Sequence, residues 1–338
     1  MTIASGDDLH PLAIATQNST VTFNSTISAG VNNYAIKRSL LISAGNGSVI
    51  FNDRLGVGSM TYSAYAYLFS NGVPNLYNLT VNANSIHINA DITTLETQTY
   101  NGAVLIGDNG SNGLTRTLLS IDPKVVFVST IDDANANVHS LIVKAISTSA
   151  DVQPIIIFRG AVGSFSALLN LTSITGMQQL LANSLLGDYD HNPYNFIGDI
   201  IIQGSVTTLN SQSYSANAIQ LNGTAPDMLI MFTSKSGKID FLVGKEFNSG
   251  ITGTTGTTIT LKYSGSGSMS NEAQQALKAS GLKVVLPVFD YQDAAVTSHA
   301  IVSAQKDQAL SIESEVNVGT PVIDECQPEK ICPTQPNL

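Results

Sequence analysis

The stretch IHINADITTLETQTYNGAVLIG, Ile86–Gly107, occurs twice in this chain. It returns as IIIQGSVTTLNSQSYSANAIQLNG, Ile200–Gly223, with Thr93-Thr94-Leu95 matched by Thr207-Thr208-Leu209, Gln98 by Gln212 and Tyr100 by Tyr214. The offset (207 − 93 = 114) runs without a gap through Lys124/Lys238 and Phe127/Phe241. Similar segments a fixed distance apart are the signature of a repeat architecture. Shorter echoes extend it. VTFNSTI at Val21 reappears as VVFVSTI at Val125, SLLISA at Ser39 as SLIVKA at Ser140, the GS of LGVGS as the GS of RGAVGS, and LYNLT at Leu76 as LLNLT at Leu168.

The changing offsets locate two inserts. Around Met60–Pro74 the first copy carries an extra segment with an aromatic run, Tyr62, Tyr65, Tyr67 and Phe69. Around Ser173–Asn195 the second copy carries MQQLLANSLL, whose Met177, Leu180, Leu181 and Leu185 fit one helical face. Elsewhere short apolar/polar alternations are separated by Gly, Asn, Ser and Asp turns, which is strand patterning. Residues 1–20 show no clear period. The expected fold is all-β, a right-handed parallel β-helix (β-solenoid) whose neighbouring coils bury one continuous core. A two-sheet Greek-key sandwich is the alternative; it explains the alternation but not the spacing.

The expected organisation is a repeat region over 1–265 with inserts near 60–74 and 173–195. A small C-terminal cap over 266–317 and a Pro-rich tail over 318–338 follow. In the cap, Ser270 or Asn271 as N-cap, EAQQALKAS as body and Gly281 beyond the end spell a helix. The stretch Leu282–Tyr291 reads as a strand, with Pro287 marking an edge or bulge.

Composition narrows function. Of 338 residues 43% are hydrophobic and only 12% charged, with a net charge of −10, so nucleic acid is not an expected partner. No apolar run reaches the roughly 18 residues of a membrane-spanning helix. The opening MTIASGDDLHPLAIA has acids where a secretion signal would be basic. There is no G-x-S-x-G elbow, H-E-x-x-H, P-loop or dinucleotide fingerprint. His10, His87, His139, His191 and His299 lie far apart without local partners, and the closest acids are Asp132-Asp133 and the Asp188/Asp190 loop. The chain therefore reads as non-enzymatic.

ITTLETQTYNGAVLIG, FRGAVGS, LTVNANSIHI and VVFVSTIDD together resemble the repeats of filamentous-haemagglutinin-like exoproteins and related two-partner-secreted adhesins of Gram-negative bacteria. The resemblance covers roughly residues 20–262, and Gln98 to Val104 is its most specific part. In the second copy Ser215, Ala216 and Asn217 replace the Asn-Gly-Ala of the first. It implies a right-handed parallel β-helix at the cell surface, secretion through an outer-membrane partner, and a role as stalk or adhesin toward a host or neighbouring-cell glycan or protein. It also implies that the chain is the C-terminal portion of something longer. A carbohydrate-active β-helix enzyme and a self-associating filament subunit are the alternatives.

Four features carry chemistry at this level. Cys326 and Cys332, with five residues between them, fit neither zinc nor C-x-x-C redox spacing. They are either a small disulfide loop in an oxidising compartment or two incidental thiols. The resemblance adds a C-terminal disulfide anchor to the first reading. Asp188, Asp190, Asn192 and Asp199 imitate a calcium loop, although Pro193 stands where such loops need Gly, and a solvated turn is the competing reading. Apart from calcium no cofactor is expected. The run Tyr62–Phe69 is either a sugar-stacking patch or packs back on the rod. Seven Asn-x-Ser/Thr sequons, at Asn18, Asn24, Asn46, Asn78, Asn109, Asn170 and Asn222, are sites for glycan or the by-product of an Asn-, Ser- and Thr-rich chain.

Overall fold

The structure is a computed structural model. It describes residues 10–28, 38–58, 73–74, 76–110, 113–121, 124–147, 149, 151–178, 194–195, 197–223, 229–243, 250–254, 258–263, 268–269 and 271–285. The chain divides into a unit of residues 1–293 and one of 294–338, the second lying outside the described residues.

The described unit is nearly all β, and apart from two short antiparallel pairs its strands pair in parallel. Chaining the partner residues gives three ladders. The first runs Leu12, Leu40, Leu79, Gln98, Val125, Ile156, Ile200, Ile219, Ile251. The second runs Val21, Val49, Ile86, Val104, Ile131, Val162, Val206, Phe232, Leu261. The third runs Ile27, Leu55, Ile92, Leu118, Val143, Ser173, Tyr214, Phe241. The chain visits first, second and third ladder in that order on every pass. Parallel pairing requires a long return between partner strands, and here the other two ladders are that return. The Greek-key sandwich is overturned, because its strands would be antiparallel.

β-Branched residues dominate the inward positions because they fit a pleated, half-buried surface. Leu40, Ile42, Val49, Phe51, Ile86, Ile88, Val104, Phe127, Ile156, Phe158, Ile200 and Phe232 all belong to one buried cluster. Aromatic rings stack along the passes: Tyr100 on Phe127 at 5.2 Å between centroids, Phe127 on Phe158 at 5.4 Å, and Tyr214 on Phe241 at 5.2 Å. At one corner an amide chain replaces apolar contact. Asn52 donates to Asn24 at 2.7 Å and Asn89 donates to Asn52 at 2.8 Å.

The repeated stretch is built twice as the same module, but not on the same ladder. In the first copy Asn78 Nδ2 donates to Ser39 Oγ at 3.3 Å while its Oδ1 accepts from Thr97 N at 3.0 Å. In the second, Asn170 Nδ2 donates to Ser140 Oγ at 3.0 Å and its Oδ1 accepts from Ser211 N at 3.1 Å. Gln98 and Gln212 are both fully buried. Each sends Nε2 at 2.7 Å to a carbonyl twenty-one residues ahead, Leu119 O and Thr233 O, and each accepts the hydroxyl of the tyrosine two residues on. Yet Gln98 stands on the first ladder and Gln212 on the third, paired with Leu171 and Ile239. Likewise Ile86 stands on the second and its copy Ile200 on the first. The second copy is displaced by one ladder throughout.

Further differences from the sequence reading are local. Gly163 occupies the position of Gly56 rather than Gly58. Both follow a bridge residue, Leu55 or Val162, with positive φ, 82° and 68°. The LAIA stretch, Leu12–Ala15, is a strand paired with Leu40–Ser43, although it showed no period. Leu, Ala and Ile are all apolar, so the alternation carries no contrast. Met177 and Gln178, expected in a helix, end the strand Leu171–Gln178, and Met177 pairs with Ser147. A ladder of backbone hydrogen bonds already in register outweighs the helical spacing there; Leu180, Leu181 and Leu185 lie outside the described residues. Each insert is closed at its base by a two-residue antiparallel pair, Val57–Gly58 with Val73–Pro74 and Met177–Gln178 with Tyr194–Asn195.

The helix forms over Asn271–Ala279, and Gly281 has φ 69°, the left-handed conformation that ends it. It packs on strands Lys238–Val243 and Gly250–Gly253, with Leu277 2% exposed. After it, Lys283–Val285 pairs in parallel with Thr258–Thr260.

Candidate functional site

The densest polar constellation among the described residues lies where the chain leaves the second ladder for the third. Strand Ile131–Asp133 ends in Asp133, a buried carboxylate. The turn after it aims three amides inward, so Asp133 Oδ1 accepts from Asn135 N at 3.0 Å and Oδ2 accepts from Val138 N and His139 N, each at 2.8 Å. Asn137 takes φ 66° to make this turn. His139 is thereby folded back on Asp133, with Nδ1 2.5 Å from Oδ1. Its Nε2 lies 2.6 Å from Oδ2 of Asp108, in the loop of the preceding pass. The His139 side chain is fully buried, whereas Asp108 is 28% exposed.

Arg116, also fully buried, organises that loop from beneath. Its guanidinium donates to the carbonyls of Gly107 at 2.5 Å, Gly113 at 2.5 Å and Thr115 at 2.8 Å. Arginine suits this place because its rigid fork satisfies several acceptors at once. The Asp108 carboxyl is held below its ordinary range, first by the hydrogen bond from His139 and then by the one from Gly110 N. A lowered value in the folded state stabilises the fold above the unfolded value near 3.8, and that contribution is lost as pH falls through the folded value.

Chemically the cluster is closed. Both ring nitrogens of His139 are engaged by carboxylates, so neither can take a proton from a substrate or bind a metal. Asp132, the neighbour of Asp133, is spent on Phe165 N and Ser166 N at 2.9 and 3.1 Å. No group of three or more metal-ligating side chains occurs among the described residues. The expectation that His139 has no nearby partner is corrected here. Its link to Asp133, six residues away, was readable from the sequence; its link to Asp108, 31 residues away, depends on stacking.

Most residues singled out in the sequence lie elsewhere. Tyr62, Tyr65, Tyr67, Phe69, Asp188, Asp190, Asn192, Cys326 and Cys332 are outside the described residues. Asp199 begins the strand Asp199–Ile202 and accepts from Gln220 Nε2 at 2.9 Å. Burial pushes its carboxyl up, partly offset by that bond. His87 is half-buried, which pushes its imidazole down, and its Nε2 lies 3.4 Å from Ser85 Oγ. Among the sequons, Asn78 and Asn170 have both ends of their amides committed to the repeat corner. Glycan attachment at either would break that corner. Asn78→Ala and Asn170→Ala are each expected to cost about 1–2 kcal/mol in urea unfolding, the value of a partly buried side-chain hydrogen-bond pair.

No family profile, curated protein or solved structure matches the chain.

Proposed function

We propose that the chain is a right-handed parallel β-helix that serves as the stalk and C-terminal surface-anchor region of a secreted bacterial adhesin or exoprotein of the filamentous-haemagglutinin-like kind. It performs no reaction itself. The observation that supports this most is the fixed order in which every pass visits the three parallel ladders, with one shared core inside. Such stacking builds length and rigidity at little sequence cost, because each pass needs only its neighbours. The titratable cluster at Asp108, His139 and Asp133 is self-satisfied, as befits a structural role. The helix Asn271–Ala279, laid over two of the last strands, covers an edge that would otherwise be a template for further pairing.

In this reading an outer-membrane partner exports the protein, the rod displays surface for a glycan or protein of a host or neighbouring cell, and Cys326 with Cys332 closes a loop that retains it. The test replaces both cysteines by serine in the full protein within the producing bacterium. The expected result is a shift of the protein from the cell-bound to the released fraction. Unchanged retention would remove the anchor role.

A further inference from the structure

We infer that the apolar core holds a built-in water site, in which the hydroxyls of Ser173 and Thr175 share one buried water between the methyl groups of Ala145 and Ala216. It goes beyond the stalk reading and does not depend on it.

Both residues are fully buried, and among the described residues neither Ser173 Oγ nor Thr175 Oγ1 has a hydrogen-bond partner. They alternate along strand Leu171–Gln178 and so face the same way as Leu171, into the core. Other buried hydroxyls of this fold are served by the turn that ends a strand. Thr94, Ser147 and Thr208 are each the last residue of their strand. Each donates to the carbonyl two residues on, Glu96 O at 2.6 Å, Ser149 O at 2.7 Å and Asn210 O at 2.7 Å. Ser120 lies inside its strand but reaches Glu96 O of the preceding pass at 2.6 Å, because that pass has already turned after Thr94.

Neither route is open at Ser173 and Thr175. Their own strand runs straight on to Gln178, and the strand of the preceding pass runs on past Ala145 to Ser147. The two strands stay paired over that whole length, from Leu141 with Leu171 to Ser147 with Met177. A hydroxyl buried without a partner gives up its hydration and gains nothing in return. Two of them on one face of one strand call for a third group.

The walls leave room for it. Ala145 is the ladder partner of Thr175 on one side, and Ala216 follows the Ile174–Ser215 pair in register on the other. The next position of that column, opposite Ala216, is the larger Val243. Alternate side chains on one face stand about 6.6 Å apart, and two hydroxyl–water bonds of about 2.8 Å span about 5.6 Å, so hydroxyls leaning toward each other share one water. Hydroxyls donate or accept as required. The site carries no charge to hold an ion, and buried water is found where otherwise unsatisfied polar groups converge.

A crystal structure of the full chain, at a resolution that places ordered water, tests this. The expected result is a density peak within about 3.2 Å of both Ser173 Oγ and Thr175 Oγ1, absent from Thr175→Val. Hydroxyls bonded to protein carbonyls, or no peak between them, would overturn the proposal. Urea unfolding reads the same question in solution. Thr175→Val exchanges the hydroxyl for a methyl of similar size, and with a water in place the midpoint should fall. A midpoint that stays or rises would mean a dry hydroxyl and would also overturn it. Ser173→Ala gives the same reading if Thr175→Val fails to fold, and Thr172→Val, on the outer face of the strand, should leave the density peak in place.

Discussion

Replacing Phe127 by alanine is expected to lower stability by about 3–5 kcal/mol, read from the urea midpoint at unchanged slope. The ring is fully buried and sits between two others, on Tyr100 at 5.2 Å and 13° and on Phe158 at 5.4 Å and 0°. Truncation leaves a cavity bounded by strands that cannot close on it, because ladder hydrogen bonds to Gln98–Tyr100 on one side and Ile155–Phe158 on the other fix their separation. Phe23→Ala is the internal comparison. Phe23 lies on the first pass, is 9% exposed and, among the described residues, stacks on Phe51 alone at 5.5 Å. Its loss should cost about half as much, since one face and not two loses its packing. Equal costs would mean that stacking along the passes contributes nothing beyond burial.

The second large effect lies in two glycines. Gly56 and Gly163 have φ 82° and 68°, and a Cβ at either would overlap a carbonyl oxygen of the neighbouring pass, Thr93 O or Thr207 O. Neither oxygen can retreat, because the same threonines donate their amides to Leu55 O at 2.9 Å and Val162 O at 2.8 Å. Gly163→Ala is expected to cost about 2–5 kcal/mol, the sum of a left-handed alanine and an overpacked contact. Gly110 separates the two terms. Its φ is 80° but open space surrounds its Cβ position, so Gly110→Ala should cost only about 1–2 kcal/mol. If the two alanines cost the same, the close approach between passes is not tight. Thr93 and Thr207 match in the sequence repeat, so Gly56→Ala should follow Gly163→Ala.

The repeat was legible because it encodes contacts at a corner. Thr94, Glu96, Gln98 and Tyr100 contact one another and the next strand, and Thr208, Asn210, Gln212 and Tyr214 do the same. Which ladder each copy occupies was not legible. All three ladders ask for the same inward alternation of Leu, Ile and Val, so nothing in the phrase distinguishes them. The phase depends on the summed lengths of the intervening loops and inserts, and those carry no period. The same blindness hid the strand Leu12–Ala15, whose two faces are both apolar, and misassigned Met177, whose fate is set by its partner Ser147 rather than by its neighbours. Of the closed polar cluster, the Asp133–His139 half lay within one turn of sequence. Asp108 and Arg116 joined it only through stacking of passes and the fold-back of their own loop.

One measurement tests directly whether the second copy of the repeat is displaced by one ladder. In protein deuterated except for isoleucine, leucine and valine methyl groups, the side chain of Ile200 should give nuclear Overhauser contacts to Ile156 and Ile219, its partners on the first ladder. Contacts from Ile200 to Val162 would contradict it, because they would place the second copy on the same ladder as Ile86 in the first.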